Sequence, residues 1–124
     1  MDKTILVVDD EIAIRMILET LLGQRFDVVC LENGEQALDW LKENKLPDCV
    51  ILDLSMPGID GFEVIRRMRE DRSLAQVPVI VLSSKDSTAD RIRCSTLGAH
   101  EYVVKPFHPA DLEARIDSLF RRRG

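Results

Sequence analysis

Three carboxylates, a serine and a lysine carry the chemistry this sequence offers. Asp9 and Asp10 follow the apolar run Ile5-Leu6-Val7-Val8, and Asp53 ends the run Cys49-Val50-Ile51-Leu52. Ser83 ends Val79-Ile80-Val81-Leu82, and Lys105 follows Tyr102-Val103-Val104. Each polar residue stands where a strand-forming segment stops. The central run is the sharpest case: an unbroken apolar stretch, of the kind covered on both faces, meets a carboxylate and then the turn residues Ser55-Met56-Pro57-Gly58. A lone Asp at a strand end commonly does no more than satisfy loose backbone N–H groups. Polar residues collected at several equivalent strand ends form a constellation, and the constellation weakens that reading.

Two unit negative charges about 4 Å apart repel by roughly 4 kcal/mol at an effective dielectric of ~20. Three ionised carboxylates on one rim therefore need positive charge beside them. Lys105 supplies one charge, and an oxygen-liganded Mg²⁺ would supply two more. No His/Cys cluster competes for a softer metal. His100 and His108, the two histidines, read as surface residues, and neither is placed to act as a base for Ser83 in serine-type hydrolysis. A carboxylate beside Mg²⁺, with a lysine and a hydroxyl in reach, suits attack by Asp53 on phosphorus to form an acyl phosphate. Lys105 and the metal would neutralise charge on the phosphoryl oxygens. The chain has no Walker-type glycine loop and no glycine-rich dinucleotide fingerprint, so neither ATP nor a dinucleotide is the expected donor.

The elements that must position these residues alternate from end to end. After the first strand, Ile14, Ile17, Leu18, Leu21 and Leu22 recur at helical spacing, which predicts one buried helix face ended near Gly23. Asp27 to Leu31 is the second strand, and Asn33 is the expected N-cap of a helix carrying Ala37, Leu38 and Leu41. Asp60-Gly61 opens a third helix with Phe62, Ile65 and Met68 inward. A fourth helix from about Thr88 to Leu97, stopped by Gly98, is apolar only at Ala89, Ile92, Cys94 and Leu97, and should be the least firmly docked. Leu112, Ile116, Leu119 and Phe120 mark the inner face of the last helix. Strict β/α alternation implies a parallel sheet with helices on both faces, whose functional crevice lies outside the carboxyl ends of the strands.

Composition bounds the function. The chain has 124 residues, 45% of them hydrophobic and 31% charged, which is enough for one domain, residues 1–124, with a continuous core. A net charge of -5 argues against a duplex-binding surface. The one basic run, Arg121-Arg122-Arg123, complements the negative end of the last helix or leads into a linker. Cys30, Cys49 and Cys94 have no metal-type spacing; Cys30 and Cys49, inside strand-like runs, read as small buried hydrophobes, which implies a reducing compartment. With no window of membrane-spanning length, the expected location is the cytoplasm.

Taken in order, Val8-Asp9-Asp10, Asp53-Leu54-Ser55-Met56-Pro57-Gly58 with Asp60-Gly61, Val81-Leu82-Ser83-Ser84, Gly98-Ala99 and Tyr102-Val103-Val104-Lys105-Pro106-Phe107 resemble the receiver domain of two-component response regulators. The resemblance covers nearly the whole chain. It implies a flavodoxin-like (βα)5 doubly wound sheet with strand order 2-1-3-4-5, and a phosphoryl group taken by Asp53 from phosphohistidine on a sensor kinase or phosphotransfer protein. It implies Mg²⁺ bound by Asp10, Asp53 and the Ser55 carbonyl, with Asp9 acting through water. Lys105 would pair with the phosphoryl group, across a cis bond to Pro106. Ser83 would swing toward the phosphoryl oxygen and Tyr102 would turn inward, changing the surface of the fourth helix, fifth strand and fifth helix for a downstream effector. Ser84 stands where the family usually has a small residue such as Ala, while Ser55 and Lys85 occupy its variable positions flanking the phosphoryl group. The domain is expected as a monomer at rest, with dimerisation on activation left open, and with no direct nucleic-acid or membrane contact.

Two other readings compete. An aspartyl-phosphate phosphohydrolase would carry a second Asp two residues after the nucleophile, where this chain has Ser55, and would need a cap domain for its substrate. A pseudo-receiver scaffold would typically lose the acidic pair, the acceptor or the lysine, all of which are present. Beyond self-catalysed phosphorylation and dephosphorylation, no enzyme activity is expected.

Overall fold

A computed structural model describes residues 2–123, without the side chain of Arg123. Five strands and five helices alternate: β1 Thr4–Val8, α1 Ile12–Leu22, β2 Asp27–Leu31, α2 Gly34–Glu43, β3 Cys49–Leu52, α3 Gly61–Glu70, β4 Val79–Ser83, α4 Thr88–Leu97, β5 Glu101–Val104 and α5 Pro109–Arg123. The strands form one parallel sheet in the order β2-β1-β3-β4-β5. The expected doubly wound architecture is therefore present, with the strand order reversing between β1 and β3.

Side-chain alternation along the central strands builds two cores. Leu6 and Val8, Val50 and Leu52, and Val79 and Val81 point to the face covered by α2, α3 and α4. Ile5 and Val7, Cys49 and Ile51, and Ile80 and Leu82 point to the face covered by α1 and α5. Each such aliphatic side chain contributes on the order of 1.5–3 kcal/mol by leaving water. Burial on both faces is what makes these runs continuously apolar.

Helix boundaries follow local chemistry. Asn33, Asp60 and Ser87 cap α2, α3 and α4 by accepting the backbone N–H of Gln36, Glu63 and Asp90. Gly98 ends α4 in the left-handed region at φ 105°, and the Arg69 guanidinium donates to its carbonyl at 2.9 Å. The apolar faces of α2 and α3 are buried as their spacing predicts, and on α5 Leu112, Ile116 and Leu119 are buried while Phe120 is half-buried.

Several positions are less buried than their spacing or surroundings suggest. Ile17 does not share the buried face of α1 but is 49% exposed, and Ile12 and Met16 also face outward. Five apolar positions describe a stripe wider than the strip of helix that the sheet covers, so Leu18 and Leu22 take the core and Ile17 falls beyond its edge. Ile92 on α4 is 60% exposed, leaving Cys94 as the buried residue of that helix. Cys49 is buried, while Cys30, on the edge strand β2, is only half-buried. Arg121 and Arg122 lie on the last turns of α5; the Arg123 side chain lies outside the described residues. Among the described residues, no helix is long and apolar enough to cross a membrane.

Candidate functional site

Ladder hydrogen bonds fix the level of the rim residues. The Asp53 N–H donates to Val8 O at 3.0 Å, the Asp9 N–H to Leu31 O at 3.1 Å, and the Lys105 N–H to Ser83 O at 2.8 Å. Each functional residue is thus pinned by its backbone to the end of a neighbouring strand. The β3-to-α3 turn is closed by the Gly61 N–H on Leu54 O at 2.9 Å. The Lys105–Pro106 peptide bond is cis, as the resemblance implies.

The side chains converge. Ligand atoms of Asp9, Asp10 and Asp53 lie within 4.8 Å of one another. Lys105 Nζ is 2.7 Å from Asp9 Oδ2, 3.0 Å from Glu11 Oε1 and 3.7 Å from Asp53 Oδ2. Asp9, Asp53 and Ser83 are buried, whereas Asp10 is exposed at the mouth. Asp9, Asp10, Asp53 and the Lys105 ammonium are therefore in one place, beside the point where strand order reverses, with Ser83 at the end of the adjoining strand β4.

Burial pushes the Asp53 carboxyl up to about 6. Lys105 pulls it down and Asp9 pushes it up, while the Ser55 N–H, at 3.4 Å from Asp53 Oδ1, lowers it and Asp10 raises it. For Lys105, burial acts against the charged form, but hydrogen bonds to Asp9 and Glu11 and the field of Asp53 outweigh it and hold the ammonium above its ordinary value. The site has three clustered carboxylates around one ammonium, an all-oxygen donor set with uncompensated negative charge. That fits a hard divalent cation such as Mg²⁺ and no softer metal.

Ser83 and Tyr102 meet at one residue. Ser83 Oγ accepts the Lys85 N–H at 3.1 Å, and the Tyr102 hydroxyl donates to Lys85 O at 2.8 Å. Ser55 and Lys85 line an open cleft of about 530 Å³ with Met56, Pro57, Asp90 and Arg93. His100 and His108 are exposed, and the His100 ring accepts the Val79 N–H at 3.3 Å at the opposite end of β4 from Ser83. Trp40 lies on α2, lining a cleft with Thr4 and Asp48 at the amino-terminal end of the sheet.

Sequence reasoning missed two residues at the site. Glu11 was readable only as the last of three consecutive acids, and nothing local signalled that its side chain reaches Lys105. Arg15 donates from its guanidinium to Asp9 O at 2.7 Å, steadying the backbone of the acidic pair. Its polar position on an otherwise apolar helix stretch was the available signal.

Comparison with known proteins agrees with this geometry. A family model described as the response regulator receiver domain matches residues 5–117. The chain is 48% identical over 121 residues to a probable transcriptional regulator, ycf27, of Cyanophora paradoxa, covering 97% of this chain and 49% of that protein. It is 37% identical over 123 residues to the alkaline phosphatase synthesis transcriptional regulatory protein PhoP of Bacillus subtilis, covering 98% of this chain and 50% of that protein. The chain thus spans about half the length of these relatives. A putative response regulator from Chloroflexus aurantiacus superposes with a TM-score of 0.89 at 32% identity, covering 96% of this chain and 98% of that one. The BeF3-activated DrrB receiver domain superposes with a TM-score of 0.87 at 30% identity, covering 98% of this chain and 99% of that one. By fold, site and sequence together, the chain belongs to the response regulator receiver domain family.

Proposed function

We propose that residues 1–124 form one receiver unit in which Asp53 accepts a phosphoryl group from phosphohistidine on a sensor kinase or phosphotransfer protein. The observation that carries this reading is the convergence of three carboxylates with Lys105 Nζ 3.7 Å from Asp53 Oδ2. An Asp53 oxygen attacks phosphorus, an O–P bond forms, and the P–N bond breaks with its electron pair left on the imidazole of the donor. Asp53 must be ionised to attack, and a carboxyl raised to about 6 is mostly ionised at pH 7 and above. Lys105 stabilises negative charge on the phosphoryl oxygens, and Ser83 donates its hydroxyl to one of them. Ser55, two residues after the acceptor, has no carboxylate to serve as the acid/base of a phosphohydrolase. Mg²⁺ would be held by Asp10, Asp53 and the Ser55 carbonyl, with Asp9 through water, and would supply further charge neutralisation to the phosphoryl oxygens.

The reading extends to output. Ser83, Lys85 and Tyr102 link the acceptor to α4 and β5, so occupation of the site biases the surface of α4, β5 and α5 that an effector reads. The matched relatives are named as transcriptional regulators, which supports an effector step in transcription, with the domain itself, at net charge -5, making no direct nucleic-acid contact. The cytoplasm is the compartment that suits such a partner set.

The test is an amide NMR spectrum with Mg²⁺ before and after beryllofluoride, a stable stand-in for the phosphoryl group, with Asp53→Ala as control. Changes at Asp10, Asp53, Ser83 and Lys105 that reach Tyr102, α4 and α5 are expected. A folded protein whose spectrum does not respond would refute the acceptor reading and leave an interaction scaffold.

A further inference from the structure

Glu11 occupies the N-cap position of α1, with extended backbone at φ -87° and ψ 114°. A carboxylate there ordinarily turns back to accept an N–H of its own helix. Here the side chain makes no cap hydrogen bond. It crosses instead to Lys105, 94 residues away in sequence, and accepts from Nζ at 3.0 Å. The Glu11 backbone remains tied into the corner, its N–H on Asp9 Oδ1 at 2.9 Å and its carbonyl accepting the Arg15 N–H at 3.2 Å. The cap bond is thus forgone while the backbone geometry for it is present.

Lys105 is committed by this arrangement. Its ammonium has three N–H groups, and two of them go to Asp9 and Glu11. The Asp53 carboxylate, at 3.7 Å, lies beyond hydrogen-bond length. A third N–H remains, but Nζ is drawn toward β1 by two carboxylates and stands 3.7 Å from Asp53 Oδ2, so pairing it with a phosphoryl group on Asp53 pulls against the bonds to Asp9 and Glu11. Asp9 is buried, but the Glu11 side chain is 58% exposed against 9% for Lys105, so Glu11 is the partner that water can most readily replace.

We propose that Glu11 is a positioning residue that holds Lys105 on the β1 side at rest and competes with the phosphoryl group on Asp53 for it. The proposal rests on the acceptor reading of Asp53. Its sign is unusual for a residue beside a reacting centre: removing the side-chain charge should improve occupation of the site. Glu11 is exposed, so the competition is modest and screened by salt.

The experiment is a beryllofluoride titration of Glu11→Gln against the unaltered protein at saturating Mg²⁺, followed by amide NMR and repeated at low and high KCl. Glu11→Gln should bind beryllofluoride about three- to fivefold more tightly at low salt, with the gain shrinking at high salt. Simple structural damage cannot give that result, because it weakens binding. Equal or weaker binding by Glu11→Gln, or a gain that ignores salt, overturns the competition while leaving Asp53 as acceptor. Absence of any response in the unaltered protein removes the acceptor reading and this proposal together.

Discussion

Ser83 and Tyr102 are joined through the backbone of a single residue, Lys85: the Ser83 hydroxyl oxygen accepts its N–H and the Tyr102 hydroxyl donates to its carbonyl. Ser83 therefore cannot reorient toward Asp53 without giving up a bond that helps fix Lys85, and Lys85 cannot move without disturbing Tyr102. Tyr102→Phe removes one end of this link at a stability cost of about 1 kcal/mol or less. Beryllofluoride should still shift the amides of Asp53 and Lys105 in that variant, while the response in α4 falls by half or more. Full propagation to α4 in Tyr102→Phe would show that the link is incidental.

The buried Asp53 carboxyl makes a prediction with an uncommon sign. Its pKa rises from 3.8 to about 6 on folding, so between those values the folded state holds a proton that the unfolded state has lost. Stability from this group is fully present below pH 3.8 and is lost as pH rises through about 6. At pH 8 without Mg²⁺ the ionised Asp53 then destabilises the fold by roughly 2–3 kcal/mol. Asp53→Asn should raise the melting temperature there by about 5–10 °C, a gap that closes near pH 4. Mg²⁺ should narrow it at pH 8 by stabilising the native carboxylate. A melting temperature for Asp53→Asn below that of the unaltered protein at pH 8 would contradict the electrostatic account.

Gly61 ties the fold to Asp53. A Cβ placed on it would sit 2.4 Å from Asp53 O and 2.7 Å from Leu54 Cα, both backbone atoms with nowhere to go. Gly61→Ala should cost about 1–3 kcal/mol by overpacking and should also displace the Asp53 carbonyl. The expected signature is a weakened beryllofluoride affinity measured well below the melting transition. Retention of full affinity would mean that α3 yields to the extra methyl and β3 does not.

Much of this was legible in the residues. Continuous apolar runs named the central strands, because burial on two faces removes the alternation a half-exposed strand shows. Asn33 and Asp60 named helix starts and Gly98 a helix end, because caps are decided by local hydrogen bonds. The strand-end residues named a candidate site, since topology alone brings strand ends together. What escaped was decided by tertiary geometry. Periodicity could place Ile17 on an apolar stripe but could not say how much of that stripe the sheet would cover. Nothing near Glu11 in the sequence revealed Lys105 as its partner, and nothing near Arg69 revealed the Gly98 carbonyl. The cis bond before Pro106 followed from family likeness, not from the residues themselves.

The weak docking of α4 gives the last prediction. α3 buries Phe62, Val64, Ile65 and Met68, while α4 buries Cys94 alone, although both helices are well capped. Caps stabilise helix ends, but resistance to local opening comes from the apolar contacts that opening would expose. The two ends of α4 also differ: Arg69, on α3, fastens the Gly98 carbonyl, whereas the Ser87 end has its own cap, an exposed Asp86–Arg91 ion pair and Arg91 over the Tyr102 ring. Hydrogen exchange should therefore run at least about tenfold faster in α4 than in α3, a difference of roughly 1.4 kcal/mol in opening free energy. Within α4 the Ala89–Ile92 amides should exchange ahead of those near Leu97. A helix that opens at its Ser87 end, next to Lys85, is one whose packing a small free energy can shift. Equal protection of α3 and α4 would remove that physical basis for the switch, even if Asp53 accepts the phosphoryl group.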